Sequence, residues 1–152
     1  MKRVIPFLAI LGMCAIGAID LHAATVVVTE ATDAALRNAI SNAAPGDFIT
    51  FDPALFVNGP VEISLNGAIL IEKDLTIAGP MRGGLSIKGG QKEIFVIGAP
   101  SQNCHVLLRN MKLWDGATQG KNGEMQCTGG GGGAALGGAI YVNFAILVCQ
   151  NV

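Results

Sequence analysis

The chain has 152 residues, with 10 Lys and Arg against 11 Asp and Glu. A balance so near neutral, without any basic cluster, disfavours phosphate-driven nucleic-acid binding. Hydrophobic residues make up 51%, yet beyond the first twenty positions no apolar run is long enough to span a bilayer.

The chain opens "MKRVIPFLAILGMCAIGAIDLHAATVVV". Lys2 and Arg3 form a basic start, Val4 to Ile19 carries no charge, and Ala23 offers a small residue for cleavage. This is the layout of a secretory signal peptide over residues 1–23. An uncleaved anchor is the main alternative. A lipoprotein at Cys14 fits less well, because Met13 stands where a small residue is expected. Cleavage after Ala23 leaves 129 residues (152 − 23), one domain over 24–152, with a net charge of −2 (8 − 10). The mature N-terminus is expected at Ala24 or Thr25.

"TVVVTE" (25–30) predicts a first strand. In "TDAALRNAISNAAPGD", Thr32 suits an N-cap and Asp33 the positive helix end. Ala35, Leu36, Ala39, Ile40 and Ala43 recur at helical spacing, and Pro45-Gly46 ends the helix. From Gly46 the rhythm changes to short alternating segments: "DFITFD" (47–52), "VEISL" (61–65), "AILI" (68–71), "LTIAG" (75–79), "LSIKG" (85–89), "EIFVIG" (93–98), "HVLLRNMKLWDG" (105–116), "AIYVN" (139–143) and "AILVCQNV" (145–152). Apolar residues two apart mark strands.

Several segments resemble one another. "LTIAG" and "LSIKG" lie ten residues apart. "VLLRNM" (106–111) and "LVCQNV" (147–152) share one frame, matching Val106, Leu108, Asn110 and Met111 to Leu147, Cys149, Asn151 and Val152. "ILIEKDLTI" fits that frame with one extra residue before Leu75. Degenerate repeats of short strands suggest stacked coils, whose shared interior no single strand could provide. The helix would cover the N-terminal end of the stack. A two-residue hairpin at Asn66-Gly67 is a local alternative.

The order of these elements resembles the start of a secreted right-handed parallel β-helix passenger. "AALRNAISNAAPGDFITFD", "ILIEKDLTIAGP", "LSIKGG", "IFVIG", "VLLRNMKLWDGAT", a glycine run and "GGAIYVN" carry the likeness. It is similar to the polymorphic outer-membrane protein and autotransporter-like group of the pectin-lyase-like superfamily, over about residues 25–152. The resemblance implies an all-β fold: a right-handed parallel β-helix (solenoid) of about four to five coils, at roughly 20–25 residues per coil, with an N-terminal capping α-helix. That family repeats GGA[ILV] and FxxN. Here GGAI occurs once, at 137–140, and FxxN not at all. The strand-like segment at 145–152 is expected to leave an open, partly apolar edge and to promote self-association, and the chain is expected to be a fragment, a truncated reading frame or one part of a larger assembly.

Residues 116–138, "GATQGKNGEMQCTGGGGGAALGG", interrupt the strand rhythm and read as a loop thrown out of one coil. It is either a binding loop or a tolerated insertion. Neither a phosphate-loop nor a dinucleotide fingerprint is present.

Enzymes of the superfamily resemble one another in Asp clusters that bind Ca²⁺ or do acid–base work on acidic polysaccharides. The mature chain offers Asp52, Asp74, Asp115, Glu62, Glu72, Glu93, Glu124, Arg82 and Arg109. None forms an Asp-Asp or Asp-x-x-Asp group, and Ca²⁺ needs six to eight oxygen ligands. Asp74 and Asp115 differ in their offsets to the neighbouring strands and are expected at different corners. His105 has no identifiable catalytic partner, and no nucleophile elbow occurs. Trp114 and Tyr141 suit either sugar stacking or packing. Cys104, Cys127 and Cys149 allow one disulfide and a leftover thiol, or three separate thiols. No catalytic, cofactor-binding or metal-binding residue is assigned, and no cofactor is expected.

The expected function is a secreted, cell-surface or outer-membrane scaffold, adhesin-like and without catalysis of its own. The alternative is the non-catalytic N-terminal part of a polysaccharide lyase or hydrolase. Expected partners are further coils of a longer chain, surface glycans, or host or cell-surface proteins. Membrane contact would come only through the signal or an anchor.

Overall fold

The computed structural model describes residues 23–82, 84–98, 103–117 and 138–152. Residues 1–22 of the expected signal peptide, Glu124, Cys127 and nearly all of the glycine-rich loop lie outside the described residues.

Eleven strands are present among the described residues: β1 (Thr25–Val28), β2 (Asp47–Phe51), β3 (Val61–Ser64), β4 (Ile69–Ile71), β5 (Leu75–Ala78), β6 (Leu85–Lys88), β7 (Phe95–Ile97), β8 (Cys104–Arg109), β9 (Lys112–Trp114), β10 (Ile140–Val142) and β11 (Ala145–Gln150). One α-helix, α1 (Asp33–Asn42), lies between β1 and β2. The fold is therefore mostly β. All eight strand pairs are parallel, in three sheets. Sheet A has the order β1-β2-β5-β8-β11, sheet B β3-β6-β9, and sheet C β10-β7-β4. From β2 onward the chain visits sheets A, B and C in one unbroken cyclic order.

This pairing excludes the hairpin at Asn66-Gly67, because β3 and β4 belong to different sheets. "LTIAG" and "LSIKG" also fall in different sheets. The frame joining 106–111 to 147–152 coincides with the pairing: Val106 stands opposite Leu147 and Leu108 opposite Cys149. The frame placed on "ILIEKDLTI" needs correction. Leu75 and Ile77, not Ile69 and Ile71, pair with Val106 and Leu108. The segment 105–116 holds two strands, β8 and β9. Asn110, at φ 54°, separates them by a left-handed turn.

Neighbours in sheet A lie 28 residues apart (75 − 47) and then 31 (106 − 75). In sheets B and C the steps are 24 (85 − 61) and 26 (95 − 69). The step widens to 41 (145 − 104) and 45 (140 − 95) where the chain passes through 118–137.

Alternation decides which side chains enter the core. On every strand from β2 to β8 the inward residues are apolar apart from Asp47. They line up in register: Ile49 with Ile77 and Leu108, Ile63 with Ile87, Ile69 with Phe95, Ile71 with Ile97. Each of these is 2% exposed or less. Parallel neighbours sit about 4.8 Å apart, so like residues stack directly. Burying one such side chain contributes about 1.5–3 kcal/mol before entropy is counted.

The helix begins where expected. Thr32 is extended, and its hydroxyl accepts the N–H of Ala35 at 3.1 Å. Leu36, Ala39 and Ile40 are buried. The last turn has no basic residue of its own. Lys73 supplies one from outside, donating to the carbonyls of Ser41 (3.0 Å) and Ala43 (2.6 Å). A cation there offsets both the unpaired carbonyls and the negative helix end. Arg37 bonds the Asp33 carboxylate at 2.8 Å and the carbonyls of Gly67 and Ala68. The helix is thus tied to β4, the outermost strand of sheet C. A short 3₁₀ turn, Pro53–Phe56, was not expected; Asp52 caps it through the N–H of Ala54.

Candidate functional surfaces

Of the acidic residues that the sequence offers, Asp52, Glu62, Asp74 and Asp115 make structural contacts. Asp74 precedes β5 and accepts the backbone N–H of His105 at 2.7 Å. Asp115 follows β9 at φ 54°, its carboxylate 3.9 Å from the Lys88 ammonium. One stands at the start of a sheet A strand and the other at the end of a sheet B strand. Glu62 accepts from the Ser64 hydroxyl. Asp52 is an N-cap. Among the described residues, no three of His, Cys, Asp and Glu come together to hold a metal ion. Arg82 is exposed in the turn before β6. Arg109 points outward from β8, and its carbonyl accepts the Gly79 N–H.

Sequence reasoning missed Asp47. It is 4% exposed and lies in the inward row with Leu75 and Val106. Its two carboxylate oxygens accept the N–H groups of Ala24 (2.8 Å) and Ala44 (2.7 Å). A buried carboxylate needs such donors to offset lost hydration. The signal was present in the sequence: an Asp three residues after Ala44, just past a helix end.

Cys104 and Cys149 are free thiols, the first buried and the second exposed. Burial, with smaller contributions from Asp74 and Glu72, pushes the Cys104 thiol up from its ordinary range. Burial also raises Cys149. A raised thiol is a poor nucleophile near neutral pH.

Several surfaces remain, three of which involve residues named above. A cleft of about 560 Å³ between α1 and β4 is lined by Arg37, Ile40, Ser41, Leu70, Glu72 and Lys73. Its two cations are already committed to backbone carbonyls. A smaller groove of about 220 Å³ on the outside of sheet A holds His105, Thr76, Leu107, Ile146 and Val148. The third is the outer face of sheet B. There Ser86 stands opposite Lys112, and Ser64, Lys88 and Trp114 form one cross-strand row. The Lys88 ammonium lies 4.6 Å from the Trp114 ring centroid and that of Lys112 5.9 Å. Trp114 keeps 37% of its surface exposed. An aromatic flanked by ammonium, hydroxyl and carboxylate groups suits a flat polar ring with hydroxyls at its edge. Tyr141 points outward from sheet C, in register with Val96 and Leu70, away from this cluster.

No family model matches the chain, and neither a curated protein nor a solved structure matches it.

Proposed function

We propose that the chain is a secreted or surface-exposed scaffold built as a right-handed parallel β-helix. It displays flat sheet faces to glycans or surface proteins and does no chemistry of its own. The observation that carries this reading is the cyclic order of the strands: each round of sheets A, B and C is one coil, stacked in register on the last. Connections between parallel strands are strongly right-handed, which sets the hand of the winding. Three full coils run from β2 to β10, with β1 and β11 adding one strand at either end and α1 capping the first coil. The lack of an acidic cluster among the described residues, with Asp74 and Asp115 engaged separately, favours binding over turnover. The outer face of sheet B, around Trp114, is the surface best suited to a glycan. Residues 1–23 direct export.

The test has two arms. The purified chain is incubated with pectate and alginate, with and without Ca²⁺, and glycans are titrated into it by calorimetry. No new chain ends should form, and a saturable heat of glycan binding should be present in the parent chain and lost in Trp114→Ala. Turnover that disappears in Asp74→Ala or Asp115→Ala would replace the scaffold reading with an enzymatic one.

A further inference from the structure

Three Asn-Gly pairs occur in the chain, at 58–59, 66–67 and 122–123. The third lies outside the described residues. Asparagine before glycine is the pair whose side chain is most readily attacked by its own backbone, because a glycine without Cβ leaves the next nitrogen open. The two described pairs differ in structure. Both asparagines are exposed. The Gly59 N–H donates to the Phe56 carbonyl at 3.2 Å, whereas no described residue accepts the Gly67 N–H. Gly59 is left-handed at φ 119°, while Gly67 lies outside that region, and a Cβ added to Gly67 would meet nothing within 4 Å.

Asn66 stands between β3 and β4, against the start of α1. The Asp33 carboxylate accepts its backbone N–H at 3.4 Å and its side-chain amide at 3.2 Å. Arg37 bonds the other Asp33 oxygen at 2.8 Å and the carbonyls of Gly67 and Ala68. The Lys92 ammonium donates to the Asn66 carbonyl at 3.4 Å. The same corner therefore joins α1 to β4.

We propose that Asn66 is a site of spontaneous modification, converted through a cyclic imide to aspartate or isoaspartate, and that conversion loosens α1 from this corner. The Gly67 nitrogen, after losing its proton to hydroxide, attacks Cγ of Asn66. The Cγ–Nδ2 bond breaks, and the amide leaves as ammonia with a proton from water. Water then adds to one of the two ring carbonyls. Opening at the side-chain carbonyl restores the ordinary backbone and leaves aspartate. Opening at the main-chain carbonyl leaves isoaspartate, with the backbone running through Cγ. A bonded N–H must first give up its acceptor, so Asn58 is protected where Asn66 is not. Either product has a carboxylate in place of an amide donor. In aspartate it faces the Asp33 carboxylate, and like charges so close repel. In isoaspartate the longer backbone also shifts the Gly67 and Ala68 carbonyls that Arg37 holds.

The test incubates the folded chain at mildly alkaline pH, beside a sample unfolded in urea and the variant Gly67→Ala. Each asparagine is followed by mass spectrometry of its peptides. Position 67 has room for a Cβ, while the added methyl crowds the attacking nitrogen. The folded chain should convert Asn66 several-fold faster than Asn58, and the two rates should draw together in urea. Gly67→Ala should slow conversion at Asn66 several-fold and keep the parent's circular dichroism. Converted chain, separated by charge, should show faster amide hydrogen exchange in α1 than unconverted chain. Asn58 converting as fast as Asn66 in the folded chain, an undiminished rate in folded Gly67→Ala, or unchanged exchange in α1 would overturn the proposal. Should Gly67→Ala not fold, the ratio of the two sites in the parent and the exchange of α1 decide without it.

Discussion

Asn110 and Asn151 show how one side chain sets a corner. Both adopt a left-handed backbone, at φ 54° and 56°. Asparagine tolerates this better than most residues. The Asn151 amide donates to the Asn110 side-chain oxygen at 2.9 Å, and the Asn110 amide lies 3.5 Å from the Gly79 carbonyl. Below them the same corner is Gly79, where an added Cβ would strike the Asn110 carbonyl oxygen. Gly79→Ala should therefore destabilise the chain by about 1–3 kcal/mol, the range for overpacking, read as a lowered urea midpoint. Cys104 gives a pH prediction. Its folded thiol value lies above the unfolded one, so the native state holds the proton more tightly. Stability should be full below the unfolded thiol value near 9.0 and fall as pH rises through the folded value. Cys104→Ala should flatten that decline, whatever its cost in packing. An equally steep alkaline loss in the variant would remove Cys104 as the cause. Under native conditions a thiol reagent should modify Cys149 well before Cys104.

At the scale of elements, much was legible. The helix was readable from Thr32, Asp33 and the spacing of Leu36, Ala39 and Ile40, because a cap and a periodic face are local signals. The strands were readable from alternation, and the β8–β11 register from Asn110 and Asn151. The pairing of β5 was misread because "ILI" and "LTI" carry the same apolar pattern, and alternation alone does not tell one sheet from another. Asp47, Arg37 and Lys73 were missed as structural residues because their partners are backbone groups. Ala44 and Asp47 are close in sequence, but the Arg37 and Lys73 contacts span about thirty residues. The carboxylates singled out for chemistry were legible as residues; their hydrogen-bond duties were not. Two element-level substitutions follow. Thr32→Ala should cost about 1 kcal/mol. Lys73→Met should weaken α1 from its other end by leaving the Ser41 and Ala43 carbonyls without that donor. Urea denaturation followed by circular dichroism measures both, and an unchanged midpoint in each variant would mean that α1 is not held by its ends.

The whole molecule depends on one arrangement: residues 23 to 31 apart, or 41 to 45 apart where the chain passes through 118–137, stand directly above one another in three parallel sheets. The core rows, the asparagine corner and the free outer faces all follow from it. The most direct measurement is nuclear magnetic resonance of through-hydrogen-bond couplings and backbone contacts in the labelled chain. The account predicts couplings from the Gly79 N–H to the Arg109 carbonyl, from the Gly98 N–H to the Ile71 carbonyl, and from the Asn110 N–H to the Gln150 carbonyl. Close Hα–Hα contacts between Val61–Ser64 and Ile69–Ile71, the mark of an antiparallel hairpin across Asn66-Gly67, would contradict it.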